Sequence, residues 1–314
     1  MKNSQDDKND ASKKKIWTMV KILIILFIFS ALIALFFNNN DDSIVGYNTA
    51  IIPIKGEITS ENGAGLFSAD TASSPDIIKN IEKVKNDANI KAVIFEIDSP
   101  GGSAVATDEI AQAIKSLNDK NITTVAWIRE SGASGAYWIA SSTNHIVANR
   151  MSMVGSIGVY GSYLELYGLL NRYNVTYQRL VAGEYKDMGT PYRPMSSAEE
   201  AMIQEKLDTM HKYFITTVAE NRNMSYDSVK ALANGQIFLG VEAKDNGLID
   251  ELGGKAEAVK YIESKSKITV VTKEFTKDKT FIESITSMMN KNSYYIGQGI
   301  ASGLVKDQGL QLTT

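Results

Sequence analysis

Short apolar runs alternate with segments of helical spacing along most of this chain, after one long apolar run near the N-terminus. The short runs at 47–54, 92–97 and 121–128 are rich in β-branched and small apolar residues and have the length of buried strands. Residues 76–85 and 105–117 place apolar side chains three and four positions apart, which is typical of helices packed on one face. This alternation predicts an α/β fold of sequential crossover units.

The strongest helical pattern covers residues 196–220. Ser196 followed by Glu199 forms a capping box, which predicts the start of a helix. The predicted buried stripe of this helix consists of Ile203, Leu207, Met210, Phe214 and Val218. Further strands are predicted at 146–148, 175–181 and 268–271, and a further helix at 281–289.

The long apolar run, residues 16–37, predicts a membrane anchor. At about 1.5 Å per residue, a helix of this length crosses a hydrocarbon core of about 30 Å. Lysines 13–15 precede the run, whereas no lysine or arginine follows it before Lys55, so the N-terminus is expected in the cytoplasm. A cleaved signal peptide is the alternative, but the run is long and no Ala-x-Ala-like site follows it.

These features predict a cytoplasmic tail at 1–15, a linker at 38–46 and an extracytoplasmic soluble part after it. The net charge of -3 argues against a nucleic-acid partner, because no basic excess is available to meet phosphates. The absence of cysteine excludes disulfides, thiolate catalysis and cysteine-bound metals. Only His145 and His211 could serve as a histidine base.

The small-residue stretch 130–141 is the first candidate for chemistry. It follows the predicted strand 121–128, surrounds the Ser134 hydroxyl with Gly and Ala, and continues into the apolar segment 136–140. A strand, a tight turn and a helix start together can present a serine nucleophile beside unoccupied backbone N–H groups. An ordinary glycine-rich turn is the alternative reading of these residues.

A second turn, Asp98–Ser103, lies between the predicted strand 92–97 and the next helix. Pro100 lacks an N–H, and Gly101 and Gly102 can adopt positive φ. Backbone donors at the start of the following helix could form one wall of an oxyanion hole. The alternative is an ordinary turn between a strand and a helix.

Five motifs together resemble those of bacterial signal peptide peptidase A, in its short form with a single protease domain. They are residues 98–103, 131–137, 155–159, 185–188 and 234–254, and the resemblance covers roughly 47–260. It implies a Clp-protease/crotonase-like fold, a spiral of repeated β-β-α units preceded by one transmembrane helix. It also implies a serine endopeptidase, with a protease domain at 47–275 and a C-terminal extension at 276–314.

The resemblance also implies the roles of individual residues. Ser134 would be the nucleophile and Lys186 the general base, with Ser156 hydrogen-bonded to the lysine. The N–H groups of Gly102 and Gly135 would form the oxyanion hole. Neither a metal nor a cofactor is implied. Family members assemble into rings or domes of identical subunits, and their active sites can be completed across a subunit boundary.

The sequence departs from the family pattern at three places. Asp98 stands where asparagine is commoner, Met153-Val154 where a threonine is common, and Ala136 where glycine is usual. None removes a catalytic atom, since both oxyanion donors are backbone groups. A carboxylate at position 98 would oppose an oxyanion if it pointed into the hole.

A lysine acts as a base only as the free amine, which is about one part in 10³ at pH 7 for an unperturbed pKa of about 10.4. The site must therefore disfavour the ammonium form, by burial and by a hydroxyl partner such as Ser156. A nearby carboxylate has the opposite effect, so Glu184 and Asp187 are expected to point away from Lys186.

The predicted substrates are apolar peptides, such as the remnants of signal peptides after their release by signal peptidase. Tyr160, Tyr163 and Leu164 are candidates for lining an apolar cleft. A crotonase-like acyl-transfer enzyme is a rival, although it needs a carboxylate base and a cytosolic coenzyme. A Ser-His-Asp hydrolase lacks its Gly-x-Ser-x-Gly elbow because position 136 is alanine. A catalytically dead membrane-anchored scaffold is the non-enzyme alternative.

Overall fold

The computed structural model describes residues 17–30, 46–61 and 71–276. The chain divides into two compact units, Met1–Gly46 and Tyr47–Thr314. In the first unit, residues 17–30 form helix α1. Among the described helices, none combines the length and the hydropathy needed to cross a bilayer. Several predicted segments lie outside the described residues. They are the tail 1–15, residues 16 and 31–37 of the predicted anchor, residues 38–45 of the predicted linker and the predicted helix 281–289.

The second unit contains ten strands and eight helices among its described residues. The strands are β1 (Thr49–Lys55), β2 (Glu57–Thr59), β3 (Thr71–Ser73), β4 (Ala92–Ser99), β5 (Thr123–Ala133), β6 (His145–Ala148), β7 (Met153–Gly155), β8 (Ile237–Leu239), β9 (Glu251–Leu252) and β10 (Thr272–Glu274). The helices are α2 (Ser74–Asn86), α3 (Ala104–Asn118), α4 (Gly135–Ser141), α5 (Tyr167–Arg172), α6 (Ser197–Arg222), α7 (Tyr226–Leu232), α8 (Gly240–Asp245) and α9 (Lys255–Ser266).

Among the described residues, eight strands form the main sheet. Its continuous order is β10-β1-β4-β5-β6-β9, and all of these neighbours are parallel. Strand β7 pairs with β5 in parallel and with β8 in antiparallel orientation, and β2 and β3 form a separate two-stranded sheet. The predicted α/β class with crossover helices is confirmed.

The core follows from alternation along the central strands. On β4, Val93 and Phe95 join the larger hydrophobic cluster, which includes Ile81 of α2 and Ile114 of α3. Ile94, between them in sequence, belongs to a smaller cluster with α9. Since successive strand residues point to opposite faces, helices cover both faces of the sheet, as a parallel sheet requires.

Strand β5 changes its neighbour along its length. Residues 125–128 pair with β6, whereas residues 131–133 pair with β7. On the other side, the register with β4 shifts between Ile97 and Ser99. The end of β5 therefore pairs with β7 instead of β6, and its last residue lies between the end of β4 and β7.

Several predicted elements differ from those of the structure. Residues 175–181 contain no strand, and the last strand lies at Thr272–Glu274 instead of 268–271. Helix α6 has its capping box, but its predicted stripe is buried only from Phe214 onward, and Met210 is 45% exposed. We call residues 160–195 the Lys186 segment. In the single chain, most apolar side chains of this segment and of the first half of α6 are not buried.

Candidate active site

Ser134 has an unusual backbone conformation at the end of β5. Its φ of 53° and ψ of -125° lie in a region that residues other than glycine rarely adopt. The Ser134 N–H donates to the Gly155 carbonyl at 2.8 Å, and the Ser134 carbonyl accepts from the Tyr137 N–H at 2.9 Å. Hydrogen bonds on both sides thus hold the serine at a strained strand-to-helix turn, a geometry that exposes a nucleophile.

Helix α4 fixes this turn because it is built into the core. Ala136, Ile139 and Ala140 are fully buried, and so is Tyr137. The Tyr137 hydroxyl donates to the Leu248 carbonyl at 2.8 Å, which ties the helix to the loop before β9. Small apolar residues in the 136–140 segment therefore serve close packing behind the serine.

Two backbone donors are unoccupied at this place. Neither the Gly102 N–H nor the Gly135 N–H donates a hydrogen bond to any residue that the structure describes. The two turns touch, since a Cβ added to Gly101 would lie 2.8 Å from the Gly135 nitrogen and 2.9 Å from Ser134 Cβ. Hydrogen bonds between Ile58 and both neighbours of Gly102, each 2.9 Å long, hold the first turn in place. Unoccupied donors in a rigid frame are what an oxyanion hole requires.

The Asp98 carboxylate is bound to the backbone of β5. Its Oδ1 accepts from the Ser131 N–H at 3.3 Å, at the register shift between β4 and β5. The carboxylate therefore fills a hydrogen-bonding gap left by the bulge, and this gives aspartate a structural role at a position where the resemblance leads one to expect asparagine.

Ser156 lies beside Ser134 across the β5–β7 pairing. Ala133 is paired with Gly155, and each serine follows directly. Ser156 also has positive φ, 50°, and its N–H donates to the Gln236 carbonyl at 2.8 Å. Its hydroxyl makes no hydrogen bond to another described residue, so it remains available for a further partner.

Lys186 lies on the exposed Lys186 segment, and the structure does not hydrogen-bond it to Ser134 or Ser156. Its N–H donates to the Gly183 carbonyl at 3.2 Å, within a run of turns. Within the described part of the chain, its ammonium group makes neither a hydrogen bond nor an ion pair. Asp187 is turned toward Arg179 and Arg193, which agrees with the expectation that its carboxylate points away from Lys186.

Neither of the two histidines is hydrogen-bonded to Ser134 in the structure. His145 is paired with Val125, near the opposite end of β5 from Ser134, on the order of 30 Å away along the strand. Its side chain is only 15% exposed. The ring stacks on Tyr261 at 3.8 Å, between Asp250 and Glu251. His211 Nε2 is buried and has no hydrogen-bond partner among the described residues.

Sequence reasoning missed Thr107 and the arginines of the Lys186 segment. Thr107 Oγ1 is buried and lacks a hydrogen-bond partner among the described residues, and a Cβ added to Gly135 would lie 2.4 Å from it. Thr107 lies one turn into α3, where no local pattern marks a residue that touches α4. The only sequence signal for an ion-pairing role of Arg179 and Arg193 is the presence of acidic residues near them in the chain.

An α/β scaffold with a strained serine beside two unoccupied backbone N–H groups defines a serine hydrolase of the acyl-transfer class. Residues 116–269 match the sequence profile of Peptidase family S49. The chain is 31% identical over 263 residues to a protein of Enterococcus faecium provisionally named signal peptide peptidase SppA, covering 84% of this chain and 73% of that protein. The protein belongs to peptidase family S49 and is a serine peptidase.

Two other relatives show how far the similarity extends. A protein of Methanocaldococcus jannaschii, provisionally named a protease, is 29% identical over 300 residues, which is 93% of this chain and 94% of that protein. Protease 4 of Haemophilus influenzae is 29% identical over 210 residues, 67% of this chain but 33% of the relative. The similarity thus includes a relative of about the same length and one that is much longer.

Proposed function

We propose that this peptidase is a membrane-anchored serine endopeptidase with a Ser134–Lys186 dyad, and that it hydrolyses apolar peptides such as remnant signal peptides. The observation that carries the proposal is the strained Ser134 beside the N–H groups of Gly102 and Gly135, with the Ser156 hydroxyl on the neighbouring strand end; none of these three groups has a hydrogen-bond partner within the described part of the chain. The name of the Enterococcus faecium relative supports the substrate class.

The proposed mechanism follows from these groups. The Lys186 amine takes the proton of the Ser134 hydroxyl while Oγ attacks the peptide carbonyl, and the resulting oxyanion accepts from the Gly102 and Gly135 N–H groups. The lysine then gives its proton to the leaving amine as the C–N bond breaks. Water, deprotonated by the same lysine, hydrolyses the acyl-enzyme. The Ser156 hydroxyl orients the amine.

The Clp-protease/crotonase-like spiral is proposed on the order of pairings. Three times in succession, a strand of the continuous order β10-β1-β4-β5-β6-β9 is followed by a further pairing off that order and then by a helix. After β1 come β2, β3 and α2; after β4 comes the Gly102 bridge to Ile58, and then α3. The two halves of β5, followed by α4, form the third repeat.

A second copy of this chain is proposed to cover the Lys186 segment and to complete the site as part of a ring-like homo-oligomer. Large apolar side chains are exposed there in the single chain, including Tyr160 at 90% and Leu180 at 95%. Exposed apolar surface of this extent favours an interface. Lys186 has no side-chain partner among the described residues, so it is available to a neighbouring Ser134. A head-to-tail contact of this kind gives a ring when the rotation between subunits closes.

The anchor and the domain limits are proposed from the sequence. The apolar run 16–37 and the lysines before it support a single-pass topology with the catalytic domain, residues 47–275, outside the cytoplasm. Membrane lipid would then be a partner of the anchor only. Remnant signal peptides lie in the same bilayer, which brings the substrate and the enzyme together.

The test uses the full chain in detergent and a fluorophosphonate probe, which labels activated serines. Labelling and cleavage of an apolar peptide should be lost in Ser134→Ala and in Lys186→Ala, and should persist in the His145→Ala/His211→Ala variant. Near-full turnover by Lys186→Ala would refute the Ser134–Lys186 dyad, and labelling that survives Ser134→Ala would show that another serine is the nucleophile.

The shared site has its own test. Ser134→Ala and Lys186→Ala chains, mixed under conditions of subunit exchange, should recover part of the activity because each supplies the group that the other lacks. Recovery is expected only in samples that contain mixed oligomers. No recovery despite proven exchange would mean that both groups come from one chain.

A further inference from the structure

Four charged side chains form a continuous set of hydrogen bonds beside Lys186. Arg179 donates to both Asp187 oxygens, at 2.9 and 2.8 Å. Arg193 donates to the same two oxygens, at 3.2 and 3.0 Å, and with its other edge to both Glu199 oxygens, at 2.9 and 2.6 Å. Three arginine–carboxylate contacts are thus bidentate, which is the most specific geometry for this pair. We call Arg179, Asp187, Arg193 and Glu199 the clamp.

One end of the clamp is fixed to the start of α6. Glu199 is only 3% exposed, and its carboxylate accepts from the Ser196 N–H at 2.9 Å in the capping box. A carboxylate in the first turn of a helix is favoured by the unpaired N–H groups there. The clamp therefore connects the Lys186 segment to the capped first turn of α6.

The other end of the clamp fixes the backbone next to Lys186. Asp187 follows Lys186 directly, and its carbonyl accepts from the Thr190 N–H at 3.0 Å. Arg179 also donates to the Glu184 carbonyl at 2.7 Å, so the turn is bonded on both sides of the lysine. Lys186 itself contributes only its N–H to these bonds, which leaves its side chain available.

The clamp also pairs Asp187, the charged residue that follows Lys186 in sequence. The ionisable groups near it in the segment are Glu184, Tyr185, Asp187, Arg179 and Arg193, with Glu199 behind them. Arg179, followed by Arg193, holds the pKa of Asp187 well below its ordinary value, so this carboxylate stays ionised and paired. An unpaired carboxylate beside an amine would favour the ammonium form, which cannot act as a base.

We propose that the clamp positions Lys186 for catalysis and keeps the adjacent Asp187 carboxylate away from its amine. These four are positioning residues, since none is argued to touch the substrate. The inference rests on the proposed role of Lys186 as the base. It predicts that two variants that break the same contact differ in their pH dependence, whereas a purely structural clamp would give them the same profile.

The experiment compares Arg193→Gln with Asp187→Asn in the full chain, by kcat and KM for an apolar peptide across pH. Both should lower kcat roughly 10- to 100-fold with little change in KM, as expected for loss of a support behind a catalytic group. In Arg193→Gln the acid limb of the profile should move to higher pH, because Asp187 has lost a counter-charge. In Asp187→Asn the acid limb should stay in place or move to lower pH. Arg179 and Arg193 are then no longer neutralised by a carboxylate at position 187, and their positive charges disfavour the ammonium form of Lys186.

Three controls make the result decisive. Arg172→Gln removes an exposed arginine of the same segment that makes no hydrogen bond to a described residue, and it should behave as the parent protein. Arg193→Lys keeps the positive charge but loses the two parallel N–H donors of the guanidinium. Compared with Arg193→Gln, its acid limb should lie close to that of the parent protein, whereas its kcat should recover less. Circular dichroism identifies a variant that fails to fold, and Asp187→Asn, which preserves shape, then carries the test together with Arg179→Gln.

The outcomes also separate the clamp from the dyad. If Lys186→Ala is inactive while Arg193→Gln and Asp187→Asn match Arg172→Gln, the clamp is refuted and the dyad stands. Equal losses with identical pH profiles refute the charge-separating role. If Lys186→Ala keeps its turnover, the proposed function itself fails, whatever the clamp variants do.

Discussion

Gly135 and Thr107 meet where α3 and α4 pack behind the candidate nucleophile, and this contact limits what the turn tolerates. In Gly135→Ala the new Cβ would lie 2.4 Å from Thr107 Oγ1. We expect a loss of about 1–3 kcal/mol in the free energy of unfolding, as for other overpacked sites, and a strong loss of fluorophosphonate labelling. Urea unfolding and the labelling rate measure the two effects.

The matched background for this prediction is Thr107→Ala, which removes the clashing hydroxyl. Gly135→Ala should be much less harmful there, so the two changes should be strongly coupled. Thr107→Val alone should change the free energy of unfolding by less than about 1 kcal/mol, because the buried hydroxyl has no partner among the described residues to lose. Equal harm by Gly135→Ala in both backgrounds would contradict the packing argument.

At this scale the sequence predicted the residues whose type is itself unusual. Ser134 and Gly135 stand out because small residues between a strand and a helix have few other uses. Thr107 could not be predicted, since a threonine inside a helix carries no mark of the distant residue it touches. The orientation of Asp98 depends on the bulge between β4 and β5, which no local pattern reveals.

Helix α6 links the charged clamp to acid sensitivity. Arg193, followed by the Ser196 N–H, lowers the pKa of Glu199 from 4.5 to about 2. A carboxylate with a lowered pKa in the folded protein stabilises it above pH 4.5, and this contribution is lost as the pH falls from 4.5 toward 2. We expect the start of α6 and the Lys186 segment to loosen over this range.

Limited digestion with pepsin between pH 4.5 and 2 tests this expectation, since pepsin is active throughout. Cleavage within residues 179–199 should accelerate as the pH falls, relative to cleavage elsewhere in the chain. Glu199→Gln, which has no charge to lose, should already be cleaved readily at pH 4.5 and should show a weaker pH dependence. Equal pH dependence of the two proteins would show that another group is responsible.

Helix α6 also marks the limit of pattern-based prediction. Its periodicity correctly indicated an apolar face, but only the part from Phe214 onward packs on the core of the single chain. The segment 175–181 was wrongly predicted as a strand for a related reason, since its apolar residues are exposed in irregular structure. Periodicity shows that a face is apolar and leaves open what covers it.

The whole molecule is expected to be active only as an assembly. Leu180→Glu places a charge on the most exposed apolar residue of the Lys186 segment. Burial of a leucine contributes about 1.5–3 kcal/mol, so the dissociation constant between subunits should rise on the order of 10- to 100-fold. Sedimentation velocity in detergent measures the state of assembly, and peptide cleavage measured in parallel should fall with it.

Val271→Glu serves as the control, since Val271 is a partly exposed apolar residue outside the segment. It should leave both the assembly and the activity near those of the parent protein. A Leu180→Glu protein that remains assembled and fully active would exclude the Lys186 segment as the subunit contact.

The order of strands and helices along the chain was sufficient to predict the α/β class and, through the joint motifs, the peptidase family. What it could not supply was the spatial relation of Lys186 to Ser134, because the intervening Lys186 segment is not packed into the core. Hydrophobic burial ties an element to its place in the fold, and a segment with little burial has its position determined by other contacts.

A hydrogen bond closes the Lys186 segment into a loop, since the Leu166 N–H donates to the Pro191 carbonyl at 2.7 Å. This hydrogen bond joins the two ends of residues 166–191, and under the proposed mechanism this stretch presents the Lys186 amine to a neighbouring subunit. A newly made chain would then be latent, and activity would appear with at least second-order dependence on the amount of protein in the membrane.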